Sequence, residues 1–295
     1  MKTLSILIPE YNCECVSLVK ALCLQPGLTA LEQWEVIVAD DGSVNQDTVR
    51  TNQVINSMDR CRFMRLEQNV GRAAIRNYLV REARYDYLLF IDADMSIIDD
   101  EFINRYISSV ADVVYGSYKV IGCHPGNLRY EYEKHSESSH RAVERQKSQY
   151  QDFHTSNYLI KRSIALRHAF DTSFTGYGYE DVAYGRQLYH AGIKIRHIDN
   201  PVGFHDFETN EGYLAKTEES LKTLYDHRDM LYDYSRIIRC ADMIRRIHLD
   251  NLCSWLFRCG KRRMRRRLLS KPSLWMFSFY KVGFYLSQST PCRQQ

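Results

Sequence analysis

The feature that most constrains this 295-residue chain is a unit repeated through its first hundred residues. Each copy is a short apolar run, then a polar cluster, then a stretch with helical spacing. Leu4–Ile8 runs into Pro9-Glu10-Tyr11-Asn12, and Glu35–Ala39 runs into Asp40-Asp41-Gly42-Ser43. Arg62–Leu66 is followed by Glu67-Gln68-Asn69, and Tyr87–Ile91 stops at Asp92-Ala93-Asp94. Between them, Val16–Leu24, Gln46–Met58 and Gly71–Ala83 have the spacing of helices. Near-continuous apolar strands separated by helices predict an α/β fold, a mostly parallel sheet covered on both faces. In such sheets ligands bind beyond the carboxyl ends of the strands. Strand ends also carry turn residues for local reasons. Four polar clusters at one rim are a stronger signal than any one of them.

Further along, Gly126–Asp152 is polar and charged and reads as a solvated helix or a mobile loop. A strand is expected at Asn157–Ile160, a helix from Arg162, and a Gly/Tyr loop at Gly176–Tyr179. A helix over Glu180–His190 is stopped by Gly192. A strand at Lys194–Ile198 leads to Pro201 and His205, and helix is expected from Tyr213 to the Arg239 region. The expected domains are 1–235, in two halves that divide at about residue 120, and a helical extension over 236–295.

Charge separates the extension from the body. Residues 236–295 hold 14 Lys and Arg against 2 Asp and Glu, whereas residues 1–235 hold 26 against 34. A basic tail favours an anionic partner, either nucleic acid or an acidic membrane surface. Seven cations lie between Arg258 and Arg267, followed by Trp275, Phe277, Phe279, Tyr280, Phe284 and Tyr285. Basic residues beside aromatics suit a peripheral position on an anionic membrane. They equally suit an aromatic stripe packed inside the protein. The nine cysteines form no CxxC pair and no even framework, which reads as reduced thiols. No signal-peptide core and no spanning segment is evident, so a cytoplasmic location is expected.

Three clusters have residue types suited to catalysis. Asp92 and Asp94, leaving an apolar strand, can hold a hard cation such as Mg²⁺ or Mn²⁺, which in turn would hold a diphosphate. Asp40 or Asp41 can accept from a base N–H while Gly42 permits close approach, or the four residues are simply a turn that caps the next helix. Glu180-Asp181 opens a helix after Gly176-Tyr177-Gly178-Tyr179. Acidic residues there complement the helix dipole. Alternatively one of them is a general base beside a tyrosine wall for a sugar. His205 is a structural histidine or a third metal ligand. A P-loop, a GxGxxG dinucleotide site, a GxSxG elbow and zinc spacing are all absent.

In their order these motifs resemble those of the family 2 glycosyltransferases, which have the GT-A fold. The resemblance rests on Ser5–Asn12, Val38–Ser43, Asn69–Asn77, Asp92-Ala93-Asp94 and Phe174–Asp181 with Arg186 and Gly192, and covers roughly residues 3 to 225. Glu10 departs from it, since a small residue is more usual there. The resemblance implies that Pro9, Tyr11 and Asn12 line the nucleotide pocket, with Tyr11 near the base. Asp41, with Asp40, would contact a uracil edge. Asn69 and Gly71 belong to the third landmark of the nucleotide-sugar site, and Arg76 and Asn77 would lie near the diphosphate and donor sugar. Asp92 would face the ribose or donor sugar. Asp94 would ligate Mn²⁺ or Mg²⁺ with Asp92, and His205 stands where relatives have a metal-binding histidine. Asp181 would be the catalytic base, with Glu180 beside it and Gly176–Tyr179 on the acceptor side.

The expected reaction is an inverting, metal-dependent transfer from a nucleotide-sugar, most simply a UDP-sugar, to a hydroxyl of a glycan or lipid-linked acceptor, as in bacterial surface-polysaccharide synthesis. Two other readings fit less well. A nucleotidylyltransferase would carry a Gly-rich basic loop where Pro9-Glu10-Tyr11-Asn12 stands. Nucleic-acid binding through the Arg-rich tail leaves the carboxylates without a role.

Overall fold

The computed structural model describes residues 1–288; the end of the expected extension, 289–295 with Cys292, lies outside the described residues. The elements in chain order begin with β1 (Thr3–Glu10), α1 (Val16–Cys23), β2 (Gln33–Asp40), α2 (Gln46–Gln53), β3 (Cys61–Arg65), α3 (Arg72–Glu82) and β4 (Tyr87–Ile91). Next come β5 (Met95–Ser96), α4 (Phe102–Ser108), β6 (Val113–Tyr115), β7 (Tyr118–Val120), α5 (Leu128–Ser136) and α6 (Ala142–Arg145). β8 (Asn157–Lys161), α7 (Arg162–Arg167), α8 (Glu180–His190), β9 (Ile195–His197) and β10 (Val202–Phe204) follow. Then α9 (Asn210–Asp226), α10 (Arg228–Leu231), α11 (Arg236–Arg246), α12 (Asp250–Ser270) and α13 (Leu274–Gln288) complete the described chain.

By contacts the chain divides into two compact units. The first comprises residues 1–121, 137–175 and 180–206. Its seven-stranded sheet has the order β3-β2-β1-β4-β8-β6-β9, and β5-β10-β7 form a smaller sheet. In the large sheet only β8 runs antiparallel, to both β4 and β6. The expected α/β class with a mostly parallel sheet is what forms, because Leu4, Ile6–Ile8, Val36–Ala39 and Leu88–Ile91 are apolar on both faces and buried on both. Pro9 is tolerated in the central β1 because β4 pairs only with Ser5–Leu7, so the missing N–H costs no ladder bond on that side. Ser5 and Glu35 are buried polar residues and satisfy each other at 2.8 Å.

The expected strands and helices of the first hundred residues are all present, to within a few residues. α4 and the short strands β5, β6 and β7 were not anticipated. Gly126–Asp152 is neither one solvated helix nor one loop. Its α5 belongs to the second unit, and Glu137–His140, a 3₁₀ turn, and α6 belong to the first.

The second unit comprises 122–136, 176–179 and the described residues from 207 on. The boundary expected at 235 falls inside it. Its regular elements among the described residues are all helices. The helix expected from Tyr213 to Arg239 is broken: α9 ends at Asp226, and α11 restarts with Ser235 as its N-cap, accepting the Ile238 N–H at 3.4 Å. The aromatic run is largely core. Phe277, Tyr280, Phe284 and Tyr285 are buried, Phe257 of α12 packs on Tyr280 and Phe284, and only Gly283 leaves room for the Phe257 ring. Trp275 and Phe279 stay exposed.

Candidate active site

The loops after β1, β2 and β3 are tied into one platform in the first unit. Asp40 accepts the Ser43 N–H at 2.7 Å, and Ser43 Oγ accepts the Asn12 N–H at 2.7 Å. Asn12 Oδ1 in turn accepts from the N–H groups of Val44 and Asn45 at 3.0 and 2.9 Å. Both Asp41 oxygens are engaged, taking the N–H of Val70 at 2.7 Å and of Gly71 at 3.0 Å. Burial pushes the Asp41 carboxyl up, against those two bonds. Gly42 is required twice over. Its φ is +70°, and a Cβ would lie 2.6–2.7 Å from the Gln68–Asn69 backbone. The turn cap expected of Asp40–Ser43 is instead supplied to α2 by Asn45. Tyr11 and Asn69 stand exposed on this rim.

Glu10 is buried beneath the platform. Its carboxyl accepts from the Cys13 N–H at 3.2 Å, and from Asn52 and Ser43 at 3.4 Å. Burial, with the Asp40 charge adding to it, pushes this carboxyl up to about 7.

The carboxylates of the second half gather round Arg76. This guanidinium, 2% exposed, donates to Asp92 Oδ1 at 2.7 Å and lies 3.6 Å from Glu180 Oε1. Arg72 approaches the same Glu180 oxygen at 3.7 Å. Arg76 Nε is buried with no hydrogen-bond partner among the described residues. Burial and the neighbouring Asp181 push the Glu180 carboxyl up, against the pull of Arg72 and Arg76. Asp181 goes the other way. Burial raises it, but His154 and then Arg76 outweigh that and hold it below the usual carboxylate range. Its Oδ2 lies 2.9 Å from His154 Nδ1, and its Oδ1 accepts the Val182 N–H at 2.8 Å. Thus a strand end, α3 and the first turn of α8 bring Asp92, Glu180 and Asp181 together. Sequence reading missed His154, which stands in an irregular polar stretch with no spacing to mark it.

Asp94 and His205 each adjoin the end of a paired short strand. Gly203 pairs with Ser96 and Phe204 with Met95 in an antiparallel ladder, and Asp94 precedes Met95 as His205 follows Phe204. Burial pushes the Cys13 thiol up to about 12, with the charges of Asp94, Glu10 and Asp206 adding to it. Among the described residues no three His, Cys, Asp or Glu side chains are grouped so that they could hold a metal ion. Asp92, Asp94 and His205 are of the donor types that Mg²⁺-like and Mn²⁺-like ions take, and such ions fill the rest of their shell with phosphate oxygens and water.

Two expectations are placed differently. Asn77 is not brought to the cluster: it is buried, donating to Phe170 O at 2.9 Å and accepting the Phe170 N–H at 2.8 Å. Gly176–Tyr179 belong to the second unit. There the Tyr177 N–H donates to Glu219 at 3.0 Å, Lys216 lies over the Tyr177 ring at 5.7 Å, and a Cβ on Gly176 would meet Thr223 at 2.5 Å. Gly178 and Tyr179 both have positive φ, 88° and 67°, and for tyrosine that is a strained conformation.

This sheet, with carboxylates at its carboxyl rim, is that of a GT-A glycosyltransferase. The profile of Glycosyl transferase family 2 matches residues 5–169, more than half of the chain, and the protein belongs to that family. An uncharacterized glycosyltransferase of Haemophilus influenzae is 30% identical over 122 residues, 40% of this chain and 48% of that protein. Chondroitin synthase of Escherichia coli is 24% identical over 242 residues, 68% of this chain and 34% of that one. The chain thus spans about half or less of the length of these relatives. Among solved structures, the mannosyltransferase PcManGT of Pyrobaculum calidifontis, in complex with GDP-Man and Mn²⁺, superposes with a TM-score of 0.53 at 17% identity, covering 98% of this chain and 81% of that one. TarS 1–349 of S. aureus, in complex with UDP, gives 0.50 at 16% identity, covering 99% and 93%. The family match does not favour the nucleotidylyltransferase or nucleic-acid readings.

Proposed function

We propose that the protein is an inverting glycosyltransferase that moves a sugar from a nucleotide-sugar, a UDP-sugar in the simplest case, to a hydroxyl of a glycan or lipid-linked acceptor in surface-polysaccharide assembly. The observation that carries this reading is Arg76, which joins the strand-end carboxylate Asp92 to the α8 carboxylate Glu180. A diphosphate and an acceptor hydroxyl would both need that neighbourhood. The similarity to structures holding UDP and GDP-Man supports a nucleotide-sugar donor.

Each group has a distinct task in this reading. Pro9, Tyr11 and Asn12 form the wall for the base, and Asp40 and Asp41 fix the loops that frame it while offering remaining lone pairs to its edge. Asn69 and Gly71 border the ribose side. Arg76, with its unmatched Nε–H, stabilises charge growing on the departing diphosphate. Asp94, with Asp92 and His205, would hold Mn²⁺ or Mg²⁺, which when bound supplies Lewis-acid neutralisation of the same charge. Asp181, ionised at neutral pH, takes the acceptor proton as that oxygen attacks the anomeric carbon from the face opposite the leaving group.

The test is a donor screen measuring UDP or GDP release across nucleotide-sugars, with and without Mn²⁺. Release from a UDP-sugar, lost on adding EDTA, is the expected result. Release unaffected by EDTA removes the metal from the proposal, and no release with any donor and a range of glycan acceptors removes the activity.

A peripheral membrane position fits the second unit. Met243, Ile247, Leu249, Leu252, Trp255 and Leu256 are exposed on α11, α12 and the turn between them. Among the described residues, Arg258, Arg262, Arg263, Arg266 and Arg267 have no carboxylate partner. Apolar side chains beside unpaired arginines suit an anionic lipid interface, and no helix among the described residues is long and apolar enough to cross a membrane. In flotation with phosphatidylglycerol vesicles, the protein should rise with the lipid at low salt and less so at high salt. Absence from the lipid fraction at low salt rejects the membrane reading.

A further inference from the structure

Asp181 does not stand alone, and its partner was invisible in the sequence. His154 precedes β8 by three residues and reaches across to the first turn of α8, where Nδ1 lies 2.9 Å from Asp181 Oδ2. The other carboxylate oxygen is fixed by the Val182 N–H at 2.8 Å, so both oxygens have defined partners and the plane of the carboxylate is set. The imidazole is about two-fifths exposed and Asp181 about one-fifth, so the pair is half sunk rather than sealed.

We propose that His154 is a positioning residue for Asp181: its Nδ1–H holds the carboxylate in one orientation, turned to accept the acceptor's proton. This rests on the assignment of Asp181 as the general base. The surroundings favour the arrangement. Tyr115 of β6 and Tyr118 of β7 flank the imidazole edge-on, with centroids at 6.1 and 6.5 Å. His140 and His197, the other histidines whose titration His154 influences, are each pushed down to about 4 by burial, so they bring no charge at neutral pH. Arg145 holds His197 Nδ1 at 2.7 Å, and Arg76 and Glu180 are charged groups that act on Asp181 or answer to it. His197 is engaged elsewhere, since its Nε2 contacts Gln149 O at 2.8 Å. A hydrogen-bonded carboxylate of this kind keeps imidazole in one tautomer, a device by which enzymes orient a base.

The first measurement needs no substrate. In histidine-¹⁵N-labelled full-length protein, His154 should show Nδ1 protonated. Its imidazole pKa should fall by about one unit in Asp181→Asn, the size expected for loss of one adjacent charge. No change on that substitution overturns the pairing. The second measurement is steady-state transfer with the donor that supports turnover. His154→Ala should lower kcat by about tenfold or more, a part of the 10²–10⁴ that a positioned base contributes, with the donor KM little changed. The acidic limb of its kcat profile should move up by about one pH unit, because burial then acts on Asp181 with only the Val182 N–H and Arg76 left to oppose it. His154→Asn, whose amide nitrogen can occupy the Nδ1 place, should recover most of the loss, and it carries the test should the alanine variant fail to fold. A His154→Ala enzyme with unchanged kcat and an unmoved acidic limb rejects the positioning role. Full turnover in Asp181→Asn is a different failure: it removes Asp181 as the base while leaving the hydrogen-bonded pair intact.

Discussion

At the residue scale the site is built of carboxylates in unequal environments. Asp181 is held ionised, whereas Glu180 beside it is driven toward its neutral form by burial and by that neighbour's charge. Two adjacent acids pushed apart in this way indicate which is fit to take a proton at neutral pH. Asp181→Asn should lower kcat by about 10²-fold or more, while UDP affinity, measured by calorimetry, changes less than about threefold. Glu10 illustrates the cost of burying a carboxyl. Folded it titrates near 7, and the ordinary value is 4.5. Between those values the native state binds more protons than the unfolded state, so this residue's contribution falls as pH rises through the window and is worst above 7. Glu10→Gln should accordingly raise stability by roughly 1–3 kcal/mol at pH 8 and much less at pH 5, as read by urea unfolding. A gain at pH 5 as large as that at pH 8 would show that the carboxyl is not held protonated by the fold. The departure at position 10 was legible in the sequence. Its burial was not, because only the folded loops show what lies under them.

At the element scale, what looked like a string of separate nucleotide-binding motifs is one clamp. Asp41 grips the turn that starts α3, Gly42 lets the 68–69 backbone pass, and Asn12 with Ser43 ties the first loop to the second. Gly42→Ala should therefore destabilise the fold by about 1–3 kcal/mol and weaken UDP binding as well, since the strain falls on both loops. Unchanged melting and unchanged UDP affinity would mean the loops adjust freely. The strands and helices of the first hundred residues were readable because apolar runs and turn residues are local signals. β5, β6 and β7 were not, since each has only two or three residues and exists by pairing with distant partners. Asn77 shows the same limit within a motif: its place in the α3 pattern suggested a ligand contact, but its amide is bound to a backbone 93 residues away.

At the scale of the whole molecule, composition sets a basic C-terminal stretch, 14 Lys and Arg against 2 Asp and Glu over 236–295, apart from a mildly acidic remainder. Where the division falls could not be read, because α5 and the 176–179 turn come from earlier in the chain and join the later helices only in space. The proposed membrane attachment belongs to this scale. Leu252→Asp with Trp255→Asp should lower vesicle co-flotation by about tenfold, as burial of two large side chains is lost, while leaving melting unchanged because both are exposed. Equal flotation of that variant would move the contact to other residues.

Arg76 has one more consequence, for the proton inventory of ligation. A single guanidinium here neutralises carboxylates on two elements, and an arriving pyrophosphate would draw on the same positive charge. As that happens Glu180 loses part of its counter-charge, and a buried acid already inclined to its neutral form picks up hydrogen ion from the bulk. Nucleotide association near neutrality should then consume protons, visible as heats that differ between phosphate and Tris buffers; identical heats in both would mean that the guanidinium keeps its carboxylates throughout.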